Sequence, residues 1–177
     1  PNSVGIPILD SFLSIPVLAF ILTLVFCVGF LNAMNMADGA NGLVSGIAVL
    51  SFTIFVNEFD GLGFAAVLIT SSVFLIFNVI SGRLFLGDAG SYGVGASLLI
   101  TSLVIYAEGM ASLSFLAALL SYPCIDFLVT IIRRLGKGMP VMLPDNNHLH
   151  NQVHHWYRTV FTSKNIANSA SGLSIAA

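Results

Sequence analysis

Five apolar runs, separated by short polar stretches, dictate what this chain can become. They cover about Phe12 to Leu31, Leu43 to Val56, Leu62 to Ile80, Ser91 to Ala107 and Leu113 to Ile132. A helix needs about 20 apolar residues to cross roughly 30 Å of hydrocarbon. Backbone groups in lipid have no water to bond, so the expected spanning element is helical. The second and fourth runs are short, which calls for tilt, local thinning or extension into their loops. Only 8% of the residues are charged and the mean hydropathy is +0.95, against about 25% charged residues in soluble domains. The sequence therefore predicts an all-α, polytopic membrane bundle with about five transmembrane helices. No internal repeat or low-complexity segment divides residues 1–177, which read as one domain carrying a basic, histidine-bearing loop at 133–165.

With alternating spans, all six Lys and Arg residues (Arg83, Arg133, Arg134, Lys137, Arg158 and Lys164) fall on one side of the membrane. Asp10, Glu58, Asp60 and Glu108 fall on the other. An excess of Lys and Arg marks the cytoplasmic face, so the first span runs inward and the polar loops face the cytoplasm. No basic n-region or small-residue cleavage site precedes the first run, so no signal peptide is read. The chain has the look of a segment of a longer polytopic protein. Cys27 and Cys124 sit inside apolar runs and read as buried thiols with no disulfide framework.

The polar stretch Asn32-Ala-Met-Asn-Met-Ala-Asp-Gly-Ala-Asn-Gly-Leu43 stands where greasy sequence is expected. Asn35, Asp38 and Asn41 are three residues apart, so in a helical turn they project from one side. Gly39 and Gly42 break that turn and let backbone approach a ligand. The stretch is either a plain inter-helix loop or a cradle of oxygens for a polar ligand or metal ion. A second loop, Arg83-Leu-Phe-Leu-Gly-Asp-Ala-Gly-Ser91, sets Asp88 between glycines, with Ser91 placed to cap the fourth helix. A carboxylate there lies beside the exposed N–H groups of a helix N-terminus, where anions bind. A lone Asp in a loop usually forms a turn, but Asn35 and Asp38 share its membrane face. Together they suit Mg²⁺, which takes one or two carboxylates, waters and substrate phosphate oxygens. Phe85 beside them is either packing or a platform for a base.

Asn78, at the inner end of the third span, needs a hydrogen-bond partner at membrane depth, in a helix–helix contact or in a site. Asp126 stands two turns before Arg133 and Arg134 on a helix that Pro123 is expected to kink. It is either a functional intramembrane acid or the partner of a basic side chain holding helices together. The two arginines read as topology anchors. His148, His150, His154 and His155 lack the Cys or Glu company of a zinc site. They fit hydrogen bonding to phosphate or sugar from a cytoplasmic lid better.

Asn32-Ala-x-Asn-x-x-Asp-Gly-x-Asn-Gly-Leu43, Phe85-Leu-Gly-Asp-Ala-Gly-Ser91, and Pro123-x-x-Asp126 followed by Arg133-Arg134 and Asp145-x-x-His148-Leu-His150 occur in that order. This set, spanning about Phe12 to Lys164, resembles the polyprenyl-phosphate N-acetylhexosamine-1-phosphate transferase family. The His-Leu-His form with Phe161-Thr-Ser163 looks closer to the lipopolysaccharide and O-antigen initiating branch than to the peptidoglycan translocase. The resemblance implies a Mg²⁺-dependent bacterial inner-membrane enzyme that transfers sugar 1-phosphate from a UDP-N-acetylhexosamine to undecaprenyl phosphate. It implies Asp88 as principal metal ligand with Asn35 beside it, and Asp38 at the sugar-phosphate region. Phe85 would stack on the uracil, next to Gly87, with Asn41 and Asn78 at the base edge. His148 and His150 would read the N-acetyl sugar and diphosphate.

Asn41 departs from the pattern, since most bacterial members carry Asp there. The family's acidic pair on an earlier cytoplasmic loop is not in this sequence, and the last helices are not either, so a polypeptide of these residues alone is expected to be inactive. Partners are the UDP-sugar, undecaprenyl phosphate and membrane lipid, with no nucleic acid; a homodimer is compatible with the sequence and not required by it. The competing class is a transporter, which would place its polar groups near the midplane between broken helices. Here they gather at one surface.

Overall fold

The computed structural model describes residues 4–59, 62–140 and 148–177, with the Leu62 side chain excepted; Asp60 and Asp145 lie outside the described residues. All regular structure among them is helical: α1 (Pro7–Leu13), α2 (Pro16–Ala37), α3 (Leu43–Phe59), α4 (Leu62–Ser81), α5 (Gly87–Ala107), α6 (Leu113–Leu119), α7 (Ser121–Gly136), α8 (Leu149–Val160) and α9 (Lys164–Ala176). Among the described residues α2, α4 and α5 are long and apolar enough to cross a membrane, which makes this a multi-pass membrane protein. The expected second span is α3, whose 17 residues reach only about 25 Å. The expected fifth is the pair α6 and α7, bent by 73°. Pro123 accounts for the break: its ring excludes the carbonyl four residues back, and α6 ends at that residue, Leu119.

Several span boundaries differ from the sequence expectation, those of two spans most of all. The first span starts later and continues to Ala37, so Asn32 to Ala37 are helical rather than loop. Asn32 permits this by donating its side-chain amide back to Val28 O at 2.8 Å, which removes the competition that usually takes Asn out of helices. The fourth span starts at Gly87, so Ser91 is inside α5 and does not cap it.

Helix α2 packs along α5 and α7, α3 along α4 and α9, and α8 along α9. The core lies where α2, α3 and α5 meet, around Met34, Leu43, Val44, Phe52, Phe55 and Leu98, all fully buried. Phe52 and Phe55 meet edge to face with ring centroids 5.6 Å apart, the favoured arrangement of aromatic quadrupoles. The outward face of α2 presents Val17, Phe20, Leu24 and Val28, as a helix in lipid should. The C-terminal ends of α2 and α4 and the N-terminal ends of α3 and α5 share one end of the bundle, joined by side-chain bonds from Asn35 and Asn78.

Candidate active site

The last turn of α2 and the first turn of α5 build the centre of the site. Asn35 donates its side-chain amide to Asp88 Oδ1 at 3.0 Å and to Ser91 Oγ at 2.9 Å. The Ser91 hydroxyl is in turn bonded to the Gly87 carbonyl at 3.0 Å, which fixes the acceptor that Asn35 needs. One turn on, Asp38 accepts from the Gly87 backbone N–H, and its pKa is pushed up to about 6. Burial is the largest cause, the Gly87 bond opposes it, and the neighbouring Asp88 charge adds to it. Asp88 lies in the first turn of α5, at the positive end of the helix dipole. Four expected site residues, Asn35, Asp38, Gly87 and Asp88, are thus brought together.

Asn78 and Asn41 hold the adjoining turn. Buried Asn78 accepts from the Gly42 N–H and donates to the Leu84 carbonyl. It ties the turn after α2 to the loop before α5, and both its polar ends are engaged by backbone. Gly42 can present its N–H this way because it sits at φ +81°, a conformation a side chain would strain. Asn41, also buried, donates to Asn165 Oδ1 at 2.9 Å and to Ser169 Oγ at 3.3 Å, both on α9. Its own Oδ1 has no partner among the described residues. Phe85 stands apart from these bonds, 66% exposed in the loop ahead of α5. A polar cleft of about 450 Å³ opens beside the turn, lined by Gly39, Asn41, His154, Lys164 and Asn165 among others.

The histidines enter from the other side. His148 and His150 are buried rather than presented on an open lid, and their rings lie parallel with centroids 5.4 Å apart. His148 Nδ1 is 2.8 Å from Asp126 Oδ2. Asp126 therefore reaches a loop histidine, a pairing across 22 residues that no local spacing announces. The His150 ring presses on Gly39, where any Cβ would collide with Nε2. Burial, reinforced by the neighbouring His148 and His154 and opposed by Asp126, pushes the His150 pKa down to about 4, so His150 is neutral near neutral pH. Among the described residues no group of three or more His, Cys, Asp or Glu is arranged to hold a metal ion. Sequence reading also missed Asn165 and Ser169, whose only signal is their polar character in a weakly apolar terminal stretch.

Comparison with known proteins bears on the same segments. The pattern of glycosyl transferase family 4 matches residues 2–108. A probable undecaprenyl-phosphate N-acetylglucosaminyl 1-phosphate transferase of Bacillus subtilis is 32% identical over 158 residues, covering 84% of this chain and 44% of that protein. A phospho-N-acetylmuramoyl-pentapeptide-transferase of Latilactobacillus sakei is 32% identical over 71% of the chain and 41% of its own length. An undecaprenyl-phosphate alpha-N-acetylglucosaminyl 1-phosphate transferase of Thermotoga maritima is 32% identical over 71% of the chain and 40% of its own length. The chain thus spans less than half the length of these relatives. No solved structure matches it.

Proposed function

The chain belongs to glycosyl transferase family 4, and we propose that it serves to transfer an N-acetylhexosamine 1-phosphate from a UDP-sugar to undecaprenyl phosphate. The observation that carries this reading is the joining of Asn35 and Asp88, with Asp38 beside them, at one end of the bundle. Relatives named for this transfer to undecaprenyl phosphate support the substrate class. The excess of Lys and Arg on that side supports a cytoplasmic reading of that end, the side on which a UDP-sugar would be met. An oxygen of the lipid phosphate attacks the sugar-bearing phosphorus, the bond from that phosphorus to the bridging oxygen breaks, and UMP departs. The product, undecaprenyl-diphosphate-N-acetylhexosamine, begins a lipid-linked polysaccharide such as O-antigen.

The donor set fits Mg²⁺. Asp38 and Asp88 are close enough for one charge to raise the other's pKa, a repulsion that a divalent cation relieves. Both are hard oxygen donors, and Asn35 keeps its carboxamide oxygen free of the bonds it donates. Asp88 and Asn35 would hold the ion, which when bound supplies charge neutralisation for the diphosphate and the leaving UMP. Asp38 borders the sugar-phosphate region. Exposed Phe85 offers its face to the uracil, with Gly87 alongside. Asn41 keeps a buried carbonyl oxygen without a partner among the described residues, while Asn78 keeps the two loops in register. His148 and His150 flank the diphosphate from the start of α8. The chain's own work is positioning and electrostatics. The test is transfer of labelled sugar phosphate by the purified intact protein to undecaprenyl phosphate; a lipid product with UMP supports the reading, and solute uptake into proteoliposomes without any lipid product replaces it with transport.

A further inference from the structure

Asp126 does two things with one carboxylate. Oδ2 meets His148 Nδ1 at 2.8 Å, and Oδ1 accepts the Leu149 backbone N–H at 3.0 Å. Leu149 is the first residue of α8, and the residue before it, His148, makes no side-chain cap of its own. The acid on α7 therefore caps a helix that it is not part of, satisfying one of the N–H groups a helix start leaves open. From there contact is continuous: His148 stacks on His150, and His150 rests on Gly39, next to Asp38. Thr130, one turn along α7, closes in on the same His148 nitrogen at 3.4 Å.

A carboxylate can only accept, so the short contact requires the proton on Nδ1. That leaves Nε2 as the ring nitrogen free of Asp126, with its orientation set by the acid. We infer that Asp126 is a positioning residue for the sugar-phosphate transfer: it fixes the tautomer and placement of His148 and, by capping α8, seats the histidines against the turn that carries Asp38. The inference rests on the proposed transferase reading for its kinetic consequence, and on geometry alone for the tautomer. An acid that merely tied α7 to α8 would give stability without kinetic coupling to His148.

Two measurements on the intact protein separate these. Side-chain ¹⁵N spectra of histidine-labelled protein, with His148 identified through His148→Gln, should show Nδ1 protonated in the wild type. An Nε2–H tautomer there overturns the inference, whether or not any variant folds. Transfer kinetics of Asp126→Asn, His148→Ala and the double variant should show Asp126→Asn lowering kcat about tenfold or more, with KM for the UDP-sugar changed far less. The double variant should be no slower than His148→Ala alone. Multiplying losses, or an unchanged kcat in Asp126→Asn, contradict the inference. Absence of turnover in the wild type would sink the transferase reading instead, and the spectra would then decide the His148 arrangement alone.

Discussion

The Asn35 side-chain amide donates to Asp88 Oδ1 across 3.0 Å, joining two residues 53 apart in sequence and locking the end of α2 to the start of α5. Asn35 thereby orients the carboxylate on which the proposed chemistry depends. With Asp38 one helical turn away, the pair of helix ends becomes a single polar surface.

Removing the Asp88 charge while keeping its shape should cut turnover and spare the fold. Asp88→Asn retains an oxygen for Asn35, so the thermal midpoint should stay near the wild-type value. Transfer should fall about a hundredfold or more, as when a main electrostatic stabiliser is lost. A rate within threefold of wild type would remove Asp88 from the reaction.

Gly39 is the seat of His150, and adding one methyl there should unseat it. Gly39→Ala puts a Cβ into the imidazole, and overpacking of this kind costs about 1–3 kcal/mol. Unfolding measurements should show that loss in the single variant and partial recovery in Gly39→Ala with His150→Ala. Equal stability of Gly39→Ala and wild type would mean the ring does not rest there.

Asn78 should prove a brace. Asn78→Ala leaves the buried Gly42 N–H and the part-buried Leu84 carbonyl without their partner, a loss of about 1–3 kcal/mol carried mainly by the Gly42 group. The matching readout is faster proteolysis in the two loops it joins. Unaltered stability with a raised KM for the UDP-sugar would assign Asn78 to the ligand instead.

Acid should destabilise the histidine helix. The folded protein holds the His150 pKa at about 4, below its ordinary 6.5. Between those values the unfolded chain binds a proton at this ring that the folded one does not, so the His150 contribution is complete above about pH 6.5 and is lost as pH drops toward 4. Asp38, held up at about 6, contributes in the opposite direction below that pH. His150→Gln should flatten that part of the thermal-midpoint profile; an identical slope would assign the acid sensitivity elsewhere.

The sequence made the membrane bundle legible because long apolar runs leave few other folds. It also pointed to the grouping of Asn35, Asp38 and Asp88, since three-residue spacing puts Asn35 and Asp38 on one side and glycines flank Asp88. Helix ends were harder. Asn32 bonds back to its own helix and lets α2 run on through residues that read as a loop, and Gly87 starts α5 a full turn before Ser91. The Asp126–His148 contact and the seating of α9 on Asn41 were out of reach, because both depend on where a terminal segment folds back and no periodicity encodes that.

The most direct test follows both products of one reaction. Purified intact protein, given UDP-N-acetylglucosamine and undecaprenyl phosphate with Mg²⁺, should release UMP and form undecaprenyl-diphosphate-N-acetylglucosamine one for one, with both lost on adding EDTA or in Asp88→Asn. Full product formation in Asp88→Asn, or nucleotide release with no sugar on the lipid, would contradict the claim that the ends of α2 and α5 together hold the diphosphate for transfer.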